Sequence, residues 1–418
     1  MTEPVIVVGA GLAGLCCARA LMKADVPAIV LEAGDAPGGR VRTDVVDGFA
    51  LDRGFQVLLT AYPEAQAVLD YDALKLGTFY PGALIRLAGK FHRVADPWKK
   101  PVDAAAAFLS PVSTPADKIR LGVLRQAIAG GTVEDIWRRP ESSTVTHLRE
   151  AGFSETSIDR FFRPFFGGVF FDRSLQTSSR MFEFTFRMFN SGATALPARG
   201  MQRIPEQLAA GLPAGALRCN TRVVSITPDA VTLESGQTLR ARAVVVATES
   251  HAAVQLCGTR ARDINTTWVS TSTLYFAADR PPVDEPILVL DGDGTGPINH
   301  VAVHSLVSAS YAPPGKHLIS LSTTASATGD LRAQALEQMR SWFGPQVDAW
   351  KHLRTYDIPH ALPRQMSGAL RDPFRPSRLE SGLYLAGDHR ENASLNGAMV
   401  SGRRAAEAVI GDLLDDHR

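Results

Sequence analysis

Three glycines spaced Gly-x-Gly-x-x-Gly are the first residues in the chain with chemistry to offer. Gly9, Gly11 and Gly14 follow a run of four apolar residues, Val5 to Val8, and open a helix-like run from Leu12 to Ala24. Each glycine suits one task in holding a dinucleotide: Gly9 allows a tight turn, Gly11 lets the backbone approach a pyrophosphate, and Gly14 lets the helix pack on the strand. The start of that helix presents unpaired N–H groups and the positive end of a dipole to the phosphates. Glu32 stands 18 residues beyond Gly14, where a carboxylate binds ribose hydroxyls. An acid there disfavours a 2′-phosphate, so NADP is disfavoured and NAD and FAD remain. Gly38-Gly39-Arg40 then brings bare main-chain amides and a guanidinium to the same diphosphate.

Other reactive residues carry less. His300 and His304 would share a face of a strand, about 13 Å apart, too far for one metal ion. His389 and Glu391, within Asp388-His-Arg-Glu391, have the chemistry of an acid–base pair but read as a solvated loop. The four cysteines (Cys16, Cys17, Cys219, Cys257) have no metal-like spacing and point to a reducing, cytoplasmic setting. Neither a catalytic triad nor a paired-carboxylate motif emerges, and the catalytic residues stay unassigned. A net charge of +1 gives no reason to expect a nucleic-acid partner. No apolar run reaches the ~18 residues that span a bilayer. Four residues before the first strand leave no room for a signal peptide.

The elements that must position these groups begin with a βαβ unit, Val5–Val8, Leu12–Ala24 and Ala28–Leu31. Residues 61 to about 194 then break the alternation, with helices expected over Ala104–Leu109, Ala116–Ala129 and Val145–Arg160. Ten of the nineteen phenylalanines crowd between 161 and 189. They read as a packed core, as the wall of a channel for a large apolar substrate, or as a rim dipping into a bilayer. Phe182, Phe184 and Phe186 alternate like a half-buried strand, although Met181–Asn190 also fits a helix. Strands are expected over Leu217–Ile226, Val231–Glu234, Ala243–Thr248, Trp268–Ala277, Ile287–Leu290, Ile298–Val307 and His317–Ser322. Helices are expected over Ile204–Ala210, 330–342, and from about Ala393 to Leu414.

The glycine triplet, Leu31-Glu32-Ala33, Gly38-Gly39-Arg40 and Leu51-Asp-Arg-Gly54-Phe-Gln56 together resemble the FAD-binding domain of the flavin amine oxidase superfamily. That group includes amine oxidases, protoporphyrinogen oxidases and carotene desaturases. Gly54 to Pro63 and Ala393-Ser-Leu-Asn-Gly-Ala398 look most like the plant-type carotene desaturase branch. The resemblance implies FAD, with Gly9, Gly11, Ala13, Gly14, Ala33 and Gly39 in the cradle, Glu32 on the adenosine ribose and Arg40 on the diphosphate. It implies Gly54, Phe55 and Gln56 beside the flavin ring and a main-chain contact from Val223 to the adenine. Gly387 and Asp388 would meet the ribityl and phosphate region, and the amides of Ala398 and Met399 the pyrimidine edge. Many amine oxidases carry a lysine on the strand aligned with Ser270–Phe276, and this chain has none between Lys118 and Lys316. No cysteine lies between Gly382 and Gly402, so the FAD is expected to be non-covalent.

The expected fold is therefore α/β, a Rossmann-like FAD-binding domain (1–60, 195–258, 376–418) intertwined with an α+β substrate domain (61–194, 259–375). The expected activity is an FAD-dependent oxidoreductase that takes a hydride equivalent from a large, isoprenoid-like substrate to flavin N5. Oxygen or a quinone would accept the electrons, and peripheral membrane contact stays open. An oxygen-dependent amine oxidase and a redox-neutral isomerase are the alternatives.

Overall fold

The first strand, Val5–Val8, is buried on both sides, as four β-branched residues in a row require. Val5 and Val7 face one core and Ile6 and Val8 another. In this computed structural model, which describes residues 3–103, 110–261, 264, 267–324, 329–370 and 375–415, that strand pairs in parallel with Ala28–Leu31 on one side and Ala243–Val246 on the other. Leu217–Arg218 and Leu383–Leu385 extend the parallel sheet, and Arg378–Glu380 closes it antiparallel. The helix Leu12–Lys23 covers one face and packs on the last helix, Leu395–Asp415. Contact there is backbone-close: a Cβ on Gly402 would stand 2.0 Å from the Ala13 carbonyl oxygen.

A second sheet has seven strands in the order Lys351–Pro363, Trp268–Ala278, His317–Ser322, His300–Val303, Leu288–Asp291, Gly82–Leu87 and Lys90–Ala95. All neighbours are antiparallel except Leu288–Asp291 with Gly82–Leu87. Helices Pro115–Ala129, Val133–Arg138, Thr144–Glu150, Arg163–Phe170 and Ser179–Ser191 lie between the two sheets in sequence. The helix expected over Ala104–Leu109 falls outside the described residues.

Four expectations change. Ser179–Ser191 is one helix, started by the Ser178 side chain accepting from the Arg180 amide, and it buries Phe182, Phe184 and Phe186 on successive sides. Alternation suggested a strand only because nearly every side of this helix is covered. The run Leu217–Ile226 is two strands in different sheets, split at Asn220, whose φ of +51° turns the chain. Val145–Arg160 is broken at Gly152 (φ +82°) and restarts behind the Ser154 cap. The strand expected to reach Val307 stops at Val303, and His304–Val307 forms one helical turn.

None of the ten clustered phenylalanines is exposed, so the cluster is not a bilayer rim. Phe162, Phe182 and Phe184 are fully buried, and the Phe182 ring touches those of Phe162, Phe166 and Phe186 at 4.8–6.1 Å. Phe182→Ala should cost about 3–5 kcal/mol, the range for emptying a buried aromatic site. Half-buried Phe165→Ala should cost clearly less, and urea denaturation of both variants compares them.

Candidate active site

The glycine turn holds its shape through contacts that exclude side chains. Gly9 adopts φ +104°, and a Cβ there would meet the Ala247 carbonyl oxygen at 2.9 Å. Gly14 lies against the Gly9 carbonyl, with only 1.9 Å for a Cβ. Gly11, the N-cap of the helix, differs: nothing lies within 4 Å of where its Cβ would be. Gly39 (φ +59°) faces it, its own Cβ position 3.4 Å from the Gly11 Cα. Two bare backbones thus approach each other closely, with open space on the side where a Gly11 side chain would project. The Glu32 carboxylate, at the end of the second strand, accepts from the Ala10 and Gly34 amides, each at 2.7 Å. Those bonds fix its orientation and leave each oxygen a further lone pair.

A cavity of ≈ 1570 Å³ opens on this turn. Of the sixteen expected cofactor residues, all but Gly14 and Met399 line it. Gly14 serves by packing the helix onto the turn. Met399 is buried and does not line the cavity, and the Ala398 amide donates to the Ser394 carbonyl at 3.0 Å, so neither presents a free N–H. The Gly397 amide is likewise taken, by the Ser394 hydroxyl at 3.0 Å. The first-turn amides this helix leaves over are those of Leu395 and Asn396, and Leu395 lines the cavity.

Arg40 reaches Asp388 with one nitrogen 2.7 Å from both carboxylate oxygens. A second nitrogen donates to the Ala361 carbonyl at 3.0 Å, and the guanidinium lies 5.2 Å from the Trp268 ring centroid. The Gly54 turn (φ +97°) presses against Ile358, with a Cβ position 2.5 Å from its Cδ1. Gln56 donates to the Arg40 carbonyl at 2.9 Å, joining this turn to the diphosphate turn. Beneath both, the Asp52 carboxylate is fully buried and accepts from the Thr43 hydroxyl (2.5 Å), the Met201 amide (2.8 Å) and the Tyr311 hydroxyl (2.9 Å). The Tyr275 hydroxyl donates to the Asp52 carbonyl at 2.9 Å. Burial pushes the Asp52 carboxyl up to about 6, against the downward pull of those bonds.

Away from the turn the cavity is walled by phenylalanines, among them Phe161, Phe165, Phe166, Phe186 and Phe189, with Phe79 from another segment. His300 lines it too, its ring 4.7 Å from that of Phe55, and burial lowers it to about 4, so it is neutral at physiological pH. His304, lowered to about 3 by burial, points elsewhere and shares a 2.9 Å hydrogen bond with Ser320. On the strand where many amine oxidases carry lysine, Thr271 lines the cavity, its hydroxyl donating to the Thr323 carbonyl at 2.7 Å.

The Asp388–Glu391 loop is not solvated as expected. Asp388, His389 and Arg390 are all buried, and Glu391 pairs with Arg404. Main-chain oxygens hold it in place, His389 O accepting from Arg375 (3.3 Å) and Pro376 O from Arg390 (2.8 Å). Burial lowers His389 to about 4 and raises Glu391. Neither lines the cavity. Phe79 carries no local signal in the sequence, whereas Asp52 and Thr271 fall within stretches that stand out, Leu51–Gln56 and Ser270–Phe276, although their partners come from other segments of the chain.

A curated coproporphyrinogen III oxidase from Mycobacterium leprae (strain TN) is 27% identical over 218 residues, 50% of this chain and 47% of that protein. The chain thus spans about half the length of that relative. In fold, the chain is similar to an oxidoreductase from Methanosarcina mazei (TM-score 0.75, 18% identity, 98% of this chain and 100% of that one). It is also similar to putrescine oxidase bound to putrescine (TM-score 0.69, 16% identity, 98% and 99%). The profile of the flavin containing amine oxidoreductases matches residues 12–410. With that match over nearly its whole length, the chain belongs to the flavin-containing amine oxidoreductase family.

Proposed function

We propose that the protein binds FAD non-covalently and oxidises a large apolar substrate, isoprenoid-like or a porphyrinogen, held against the phenylalanine wall. The observation that carries this reading is continuity: one cavity runs from the Gly9–Gly14 turn to the phenylalanine cluster. At ≈ 1570 Å³ it exceeds the roughly 300–1,000 Å³ of an ordinary ligand pocket, which leaves room for a dinucleotide and a substrate together. FAD, when bound, supplies the oxidant that takes up a hydride equivalent from the substrate.

The residues fit that cofactor. Gly11 and Gly39 leave the space a pyrophosphate needs, Glu32 is set for ribose hydroxyls, and Val223 lines the cavity near Thr221 for a main-chain contact to adenine. The first-turn amides of Leu395–Asp415 suit the negative charge that gathers on a reduced ring system. None of the four cysteines lines the cavity, so no thiol stands ready for a thioether link. In this reading the segments near 1–60, 195–258 and 376–418 hold the cofactor and the rest holds the substrate.

The wall residues orient substrate by shape and keep water out. They offer little to an ammonium group. Among the described residues, four of the five carboxylates lining the cavity have close partners: Asp388 has Arg40, Asp96 has Arg125, Asp357 has Ser272, and Glu32 has two amides; the fifth, Glu249, follows the Ala247–Thr248 segment that packs on Gly9 and stands 3.7 Å from His360. An apolar substrate is favoured over an amine on that ground. Oxygen or a quinone serves as electron acceptor.

Acid precipitation of the yellow protein should release all its flavin to the supernatant, and colour left in the pellet would overturn non-covalent binding. The substrate reading is tested by anaerobic bleaching of the flavin with detergent-dispersed phytoene, a porphyrinogen and putrescine in parallel. Reduction by phytoene or the porphyrinogen is expected. Rapid turnover of putrescine with release of hydrogen peroxide would replace it with the amine oxidase reading.

A further inference from the structure

We propose that the open end of the cavity is a docking surface for an anionic lipid bilayer, through which the apolar substrate of the preceding section enters; the entry half of this statement rests on that reading.

The clustered phenylalanines are all inside, yet the chain displays other large apolar groups beside the same cavity. Trp98 is 57% exposed and also lines the cavity, which puts it at the mouth. Val102, four residues on, is 88% exposed. Ile119 and Val123, 68% and 66% exposed, sit one turn apart on the helix Pro115–Ala129. Gly122 lies between them, and a Cβ there would stand 3.7 Å from the Trp98 ring, so the indole rests on this helix beside the two aliphatic side chains. From the same helix Leu121 and Arg125 line the cavity. An apolar patch and the mouth of an apolar chamber are therefore built from the same two segments.

Keeping such groups in water is unfavourable, and a contiguous exposed apolar surface marks a contact site. The charges beside it select the occupant. Arg125 stacks on Trp98 at 4.3 Å and pairs with Asp96 at 2.9 Å, which uses the acid. Lys99 is held by main-chain oxygens of Phe189 and Gly192, and Lys100 lies 5.8 Å from the Tyr80 ring centroid. Neither lysine is paired with a carboxylate among the described residues, so the rim keeps positive charge. Tryptophan and aliphatic groups flanked by lysine suit the boundary between lipid headgroups and acyl chains when the headgroups are anionic. No helix among the described residues is long and apolar enough to cross a membrane, so the contact is with one face of the bilayer. A bilayer also dissolves the class of substrate that a phenylalanine-walled chamber accepts. A soluble carrier protein is the competing occupant.

Flotation of the purified flavoprotein with vesicles separates these cases. Vesicles of about one-third phosphatidylglycerol in phosphatidylcholine should carry the protein, and pure phosphatidylcholine vesicles should carry much less. The triple variant Val102→Ser, Ile119→Ser, Val123→Ser should lose at least about tenfold in vesicle affinity, from the apolar area removed. Lys100→Glu should lose severalfold, with the loss growing smaller as salt rises. Val45→Ser and Leu414→Ser, which remove exposed apolar groups elsewhere, should float as the parent does. A protein that floats with neither vesicle, as a carrier-fed enzyme would, overturns the proposal, and so does a triple variant that floats undiminished. Flavin absorbance is read on the same fractions: colourless protein that floats in the expected pattern sinks the cofactor reading and leaves the docking surface standing.

Discussion

Gly11→Val should fold normally and come out colourless, whereas Gly14→Val should fail to fold. The two glycines sit three residues apart in one motif, and their surroundings separate their roles. Gly11 has extended backbone angles that any residue adopts, φ −70° and ψ 177°, with open cavity where its Cβ would go. A valine there sets its Cβ in open cavity, more than 4 Å from any protein atom, and adds two methyl groups to the cradle, so the penalty falls on the ligand. Gly14 has 1.9 Å between its would-be Cβ and the Gly9 carbonyl oxygen. The atom in the way is backbone, and relieving the clash means parting the first helix from the first strand, a cost above the ~4–5 kcal/mol that marks an exceptional single substitution. Circular dichroism with thermal melting reports the fold, and the flavin absorbance per protein reports the site. A yellow Gly11→Val protein would sink the assignment of this turn to the diphosphate.

Asp52 should impose a pH dependence on stability that Asp52→Asn removes. Its carboxyl rises from an ordinary 3.8 to about 6 because it is buried. The folded protein therefore holds this proton more tightly than the unfolded chain. The favourable contribution is complete below about pH 4 and is lost as pH rises through 6, roughly 3 kcal/mol in all. Urea denaturation at intervals from pH 4 to 8 measures it as the difference between parent and Asp52→Asn, with other groups cancelling. Asp52→Leu should be worse at every pH by about 3–5 kcal/mol, because it strands the Met201 amide and the Thr43 and Tyr311 hydroxyls. A parent and an Asn variant with parallel pH profiles would mean that Asp52 stays ionised in the fold.

These two cases mark what the sequence made legible. Gly9, Gly11 and Gly14 announce themselves because their task is done by the backbone, and a backbone task leaves a fixed spacing. Glu32, Gly39 and Arg40 follow within the same short stretch, so local reading reaches them. Asp52 stands inside the Leu51–Gln56 motif, yet nothing in that spacing tells what its carboxylate holds. Thr43 faces it across a hairpin, but Met201, Tyr275 and Tyr311 are brought to it only by tertiary structure. The same reason hid Phe79 in the cavity wall. Periodicity failed where burial was total: the Phe182–Phe186 alternation mimics a strand because the helix Ser179–Ser191 has almost no exposed side. The Ala398 amide is spent on the Ser394 carbonyl, which a motif cannot reveal until the Ser394 cap fixes where the helix begins.

That phenylalanine helix has a consequence for anyone who reshapes the protein. Phe166 and Phe186 line the cavity, and Phe166 also touches Phe162, Phe182, Phe186 and Phe189. Wall and core are one continuous array of rings. Enlarging the chamber to admit a bulkier molecule therefore removes packing from the interior in the same stroke. Laboratory selection for new substrates should first accumulate heat-sensitive variants, then compensating changes on the far sides of the same rings. Substrate range and thermal endurance are, in this scaffold, a single inherited trait.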